Sequence, residues 1–194
     1  MLVLASQCEQ EAELVGLEDV ARDLHSLLRD PELGVCEPAL PDGDDLVVCD
    51  RNNPRPAADL TDLVRRAYDA AGDQRATLVL DVLGHGWSTR SAEKLYFMAW
   101  SSKRDAPGSG VEITGLLEEA VGRKGVDGVV ALVDLCSAAA AAPSKSALVN
   151  GLVEGGTRLA ALFAAGAGKD AYGLSFSREL AALLRTGLEG QGGR

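Results

Sequence analysis

Two side chains in this sequence could together break an amide bond: the thiol of Cys136 and the imidazole of His85. A thiol is a modest nucleophile at neutral pH, and a neighbouring imidazole raises its reactive thiolate fraction. In such a pair Cys136 attacks the scissile carbonyl and His85 protonates the departing amine. His85 stands between Gly84 and Gly86, which permit tight turns and let the Gly86 amide approach a substrate closely. The amides of Gly86 and Cys136 are then the candidate oxyanion hole, a feature whose donors are typically worth ~3 kcal/mol each. A Gly-His-Gly triplet or a lone cysteine says little by itself. What joins them is where each stands in the chain.

Both residues follow apolar runs, Leu78 to Val82 and Val129 to Val133, that read as buried strands. Further strands are expected at residues 2–5, 46–49 and 159–164, with an accessory one at 95–100. Amphipathic helices are expected between them. Leu17, Val20, Ala21, Leu24, Leu27 and Leu28 mark the first, ended by Asp30-Pro31 and Gly34. Leu60, Leu63, Val64 and Ala67 mark the second, and Ile113, Leu116, Leu117 and Val121 the third. A short helix near residues 146–153 and a last one at 176–184 complete the order. Strands alternating with helices imply βαβ units, and apolar strands imply a parallel sheet covered on both faces. In such sheets ligands bind beyond the carboxyl ends of the strands. Adjacent parallel strands lie about 4.8 Å apart, so direct pairing of the His85 and Cys136 strands brings the two side chains together.

The run LVLDVLGHG, followed by VALVDLCSA with Cys136 lying 51 positions after His85, resembles the two catalytic strands of the caspase–metacaspase family of cysteine peptidases. The opening LVLAS…GLEDVARDLHSLL, the segment RLAALFAAGAGKDAYG and the helix SRELAALLRTG are similar to the family in order and character. The resemblance implies a three-layer caspase-like α/β fold, a mostly parallel sheet of five or six strands with helices on both faces. It implies a peptidase domain over residues 1–187, with 188–194 a flexible Gly-rich tail. It further implies endopeptidase activity on protein or peptide substrates without a cofactor or metal. Asp134 corresponds to the metacaspase acid that lines the first specificity pocket, so cleavage after Arg or Lys is implied; a cap on the loop after its strand is the other reading. Glu9 falls where related enzymes place another pocket residue, and otherwise reads as a solvated loop acid. The Q-A-C-x-G of animal caspases and the C-H-S-G of many metacaspases are absent, Cys136 being followed by Ser137, Ala138 and Ala139. Bacterial members of the family often serve defence or regulated death. Caspase-like folds also carry a sixth strand after the last helix, where this chain has only its Gly-rich tail. A further chain segment, a partner subunit or a second copy is therefore expected to complete the sheet edge. The terminal Arg194 fits a self-processing cut after a basic residue.

Composition narrows the alternatives. The 194 residues suit one domain, and a net charge of -10 argues against nucleic-acid or anionic-membrane partners. No apolar run approaches the roughly 20 residues that span a bilayer, and no signal peptide precedes Gln7, Glu9 and Glu11, so a cytoplasmic protein is expected. The four cysteines show no disulfide or zinc spacing, and Cys8, Cys36 and Cys49 read as structural free thiols. His25 flanks the first helix and reads as solvated; Lys94, Lys103 and Arg104 read as surface charges. Gly166 to Asp170 fails as a phosphate loop, since Phe163 stands at the earlier glycine position and Asp170 replaces Ser/Thr. Gly84-x-Gly86 fails as a dinucleotide fingerprint at Thr89, and no D-x-D-x-D-G calcium loop occurs. The alternative to an enzyme is a non-catalytic caspase-like module that binds or scaffolds a partner. Retention of both Cys136 and His85 argues against it.

Overall fold

In chain order the elements are β1 (Leu2–Ser6), α1 (Leu17–Arg29), β2 (Leu46–Cys49), α2 (Ala57–Gln74), β3 (Thr77–Gly84), β4 (Gly86–Ser88), β5 (Leu95–Phe97), β6 (Val111–Glu112), α3 (Ile113–Gly122), β7 (Gly128–Asp134), β8 (Arg158–Phe163) and α4 (Ser175–Thr186). They come from a computed structural model that describes residues 1–89, 94–142, 157–166, 169–171 and 173–186. Among these residues, five strands form one sheet in the order β2-β1-β3-β7-β8, every neighbouring pair parallel. The expected helix at 146–153 and the tail at 188–194 lie outside the described residues.

Because side chains alternate along a strand, the sheet presents two different faces to its helices. Leu2 and Leu4, Leu78, Leu80 and Val82, and Val129, Ala131 and Val133 share one core with α2 and α3. Val3, Ala5 and Leu83 share the other with α1 and α4. Helix α1 buries the six apolar residues its spacing marks, Leu17, Val20, Ala21, Leu24, Leu27 and Leu28. Full burial of such a side chain is worth about 1.5–3 kcal/mol. Helix α2 buries Leu60, Leu63, Val64, Ala67 and Tyr68, and the Tyr68 hydroxyl donates to the Leu116 carbonyl of α3 at 3.1 Å. This is the three-layer α/β arrangement that the resemblance implies.

Strand β8, the outer strand beyond β7, differs from the doubly covered strands. Leu159, Ala161 and Phe163 pack on the α2/α3 core, while Arg158, Ala160 and Leu162 are exposed. The accessory strand expected at 95–100 is the shorter β5. It is the centre of a small antiparallel sheet, β4-β5-β6, that the sequence pattern did not disclose. Leu95, Phe97 and Val111 anchor that sheet in the α2/α3 core. Among the described residues no helix is long and apolar enough to cross a membrane.

Candidate active site

Strands β3 and β7 pair directly, with Leu83 opposite Asp134 as the last register position. His85 and Cys136 each stand two residues beyond that point, at the carboxyl end of the sheet. Two glycines shape the turn that carries His85. Gly84 has φ +152, and a Cβ there would lie 2.5 Å from the Ser6 carbonyl oxygen and 2.9 Å from the Phe97 ring. A Cβ on Gly86 would lie 2.6 Å from the carbonyl oxygen of Cys136 and 3.1 Å from its nitrogen. Only glycine lets these backbones approach so closely. The backbones of the two proposed oxyanion donors, Gly86 and Cys136, are thus in contact.

The imidazole of His85 is half-buried, and its Nε2 lies 2.8 Å from the Ala12 carbonyl in the β1–α1 loop. A carbonyl only accepts, so Nε2 carries the proton and Nδ1 holds the free lone pair. The backbone of His85 is fixed too, its carbonyl accepting from the Met98 amide at 3.0 Å. Burial lowers the His85 pKa below its ordinary value, and the Arg104 charge acts in the same direction. The Ala12 hydrogen bond and the Glu11 charge oppose them. The ring is therefore neutral at pH 7, with a basic nitrogen available.

Cys136 is half-buried, and the Ala171 amide donates to its sulfur at 3.5 Å. The next residue, Ser137, sits in the left-handed region with φ 60, a conformation that costs a non-glycine residue about 1–2 kcal/mol. The Ser137 amide donates to the Lys169 carbonyl at 2.6 Å, and its own carbonyl accepts from Ala140 at 2.8 Å. The β8–α4 loop thereby holds the sharp turn that carries the sulfur.

Asp134 lies beneath this turn, 2% exposed. Its Oδ2 accepts from the Ser177 amide in the first turn of α4 at 2.9 Å, where a helix end favours a negative group. Asp81 is the neighbour that sequence reasoning passed over. It is wholly buried, and neither carboxylate oxygen has a hydrogen-bond partner; the same holds for the Ser177 hydroxyl. Burial, and secondarily the charge of Asp134, pushes the Asp81 pKa up to about 8. At pH 7 it is a neutral acid.

A cleft of about 520 Å³ opens beyond β1 and β2. It is lined by Glu9, Glu11, Glu13, Glu18, Asp19 and Asp50, with Arg51 the one basic residue among its lining. Glu11 grips Arg104 bidentately, Nε to Oε1 at 2.5 Å and Nη2 to Oε2 at 2.9 Å. Arg104, expected as a surface charge, is exposed as expected and carries this ion pair. Lys94, also expected at the surface, pairs with Glu112 at 2.8 Å and is half-exposed. His25 corrects an expectation: 15% exposed, it meets Asp45 at 2.7 Å, because the start of β2 closes over that flank of α1. Cys8, Cys36 and Cys49 are free, buried or half-buried. Among the described residues no group of three or more His, Cys, Asp or Glu is arranged to hold a metal ion.

No family model matches the chain, and no curated protein matches it.

Proposed function

We propose that the protein is a cysteine endopeptidase of the caspase–metacaspase type, with Cys136 as nucleophile and His85 as general base and acid. The observation that carries this reading is the contact between the two strand-end turns: Gly86 against the backbone of Cys136, with His85 held as the Nε2–H tautomer by Ala12. A ring fixed in that way presents Nδ1 for proton transfer. It accepts the thiol proton as sulfur attacks the scissile carbonyl, and gives it to the amine as the C–N bond breaks. It then takes a proton from water as the thioester is hydrolysed. The amides of Gly86 and Cys136 are assigned to the oxyanion.

The lining of the acidic cleft includes neither His85, Cys136 nor Asp134, but its carboxylates attract and pair with a cationic side chain, which supports a preference for substrates carrying Arg or Lys. In the free protein Asp134 is committed to Ser177. Its contact with a substrate cation therefore requires α4 to release it, whereas Glu9 and Glu13 stand exposed at the cleft.

A peptidyl chloromethyl ketone tests the reading. The form ending in Arg should alkylate Cys136, mapped by peptide mass spectrometry, and the form ending in Asp should react much more slowly. Modification spread evenly over the four cysteines would reject the nucleophile. Faster reaction of the Asp form would reject the basic preference.

A further inference from the structure

Of the charged groups around the two strand-end turns, one pair has no role in the dyad chemistry. Glu11 belongs to the β1–α1 loop and Arg104 to the segment between β5 and β6, so their double hydrogen bond ties together two separate parts of the chain. Both partners are held from behind. The Glu11 amide donates to Cys8 at 3.1 Å and the Glu9 amide to Trp100 at 2.9 Å. On the other side, the buried Ser102 hydroxyl donates to the Ser109 carbonyl at 2.5 Å, and the Cys8 thiol to the Ser102 carbonyl at 3.4 Å. Arg104 therefore projects from an anchored turn. The Glu11 side chain is 17% exposed and that of Arg104 54%, so solvent screens the charge of the pair, and its contribution is to geometry more than to stability. The residue after Glu11 is Ala12, whose carbonyl sets the His85 tautomer.

We infer that the Glu11–Arg104 pair is a positioning element of the active site: it fixes the loop whose Ala12 carbonyl orients His85. The inference rests on the peptidase reading for its purpose and on the ion pair for its geometry. A bidentate fork restrains orientation as well as distance, so the clamp limits how far Ala12 can swing from the imidazole. The Arg104 charge also favours the neutral form of His85. Glu11 acts oppositely on His85, so the closed pair leaves the imidazole a small residual field.

Three readouts on the full chain test this, with Arg104→Gln and Arg104→Lys beside the parent. The first is the rate at which iodoacetamide modifies Cys136 at pH 7, followed by peptide mass spectrometry. The second is the His85 ring tautomer from nitrogen-15 NMR. The third is cleavage of an Arg-containing peptide, resolved into kcat and KM. Arg104→Gln should mix the His85 tautomers, slow alkylation of Cys136 severalfold because fewer rings offer Nδ1 to the thiol, and lower kcat with little change in KM. Arg104→Lys should leave the tautomer mixed and the alkylation slow, because it loses the fork. Equal alkylation rates and an unchanged tautomer in Arg104→Gln would overturn the inference, whatever the cleavage result. If the parent cleaves no peptide but alkylation and tautomer respond as stated, the peptidase reading fails and the positioning role stands.

Discussion

The two faces of the central sheet are built on different terms. Toward α2 and α3 the strands present Leu78, Leu80, Val82, Val129, Ala131 and Val133, and the hydroxyl of the large buried Tyr68 is satisfied by Leu116. Toward α1 and α4 the same two central strands present Asp81 and Asp134, and among the described residues three buried polar atoms, the Asp81 carboxylate oxygens and the Ser177 hydroxyl, are left unpartnered. An unpaired buried polar group costs about 1–3 kcal/mol, and a charged one more. The first face is therefore a source of stability, and the second spends some of it. The expensive face is also the one that meets the candidate site. Asp134 stands two residues before Cys136 and caps α4, whose preceding loop contacts the Cys136 sulfur. Left-handed backbone is not confined to that end: Ser137 and Leu174 lie there, φ 60 and 63, while Val35 and Arg75, φ 53 and 50, lie elsewhere in the fold.

Neighbouring residues on β3 put this contrast to the test. Leu80→Ala, on the apolar face, should lower unfolding free energy by about 2–5 kcal/mol, with the same loss at pH 5 and pH 8 in urea denaturation. A loss below about 1 kcal/mol would mean that this core can collapse around the gap.

Asp81→Asn, one position along on the other face, should act with the opposite sign and with a pH dependence. The folded-state pKa of Asp81 is raised to about 8, well above the value near 4 of an unfolded aspartate. Its contribution to stability is fully present below about pH 4. It falls as the pH rises, because the unfolded chain loses the proton while the folded chain keeps it, and the fall ends near pH 8. The asparagine variant should show no such decline, and should be more stable than the parent at pH 8 by a wider margin than at pH 5. Parallel curves for the two proteins would place the pH dependence elsewhere.

The smallest effect is expected at Ser177, whose hydroxyl is buried without a partner. Ser177→Ala should change stability by less than about 0.5 kcal/mol, or raise it, because nothing is lost but a desolvated group. A loss above about 1 kcal/mol would show that the hydroxyl is bonded in solution, and that this face is less costly than described.

Much of this was legible in the sequence. Strands β1, β2, β7 and β8 and helices α1 to α4 announce themselves through apolar runs and 3.6-residue spacing, and their order implies the parallel sheet that is found. The close approach of Gly86, the residue after His85, to the backbone of Cys136 follows from their places after adjacent strands. Strands β4 and β6 could not be read, since three and two residues carry no periodicity and the pairing with β5 defines them. Asp81 carried a signal that went unused: an acid inside a run that reads as a doubly covered strand has no solvent to face. His25 looks like a solvated flank, and the ion pair of the exposed Arg104 goes unseen, because their partners, Asp45 and Glu11, are 20 and 93 residues away in the chain. Sequence spacing along one element says nothing of such contacts.

Turnover of a reporter peptide containing Arg, by the parent, Cys136→Ala and His85→Ala, tests the central claim most directly. Each variant should keep the parent's circular-dichroism melting curve, since both side chains are only half-buried at the sheet end. The parent should cleave the peptide, with activity falling on the acid side at a pH below the ordinary histidine value, where the burial-lowered His85 takes up a proton. Each variant should lose about a thousandfold or more in kcat. Cleavage by Cys136→Ala at the parent's rate would contradict the account.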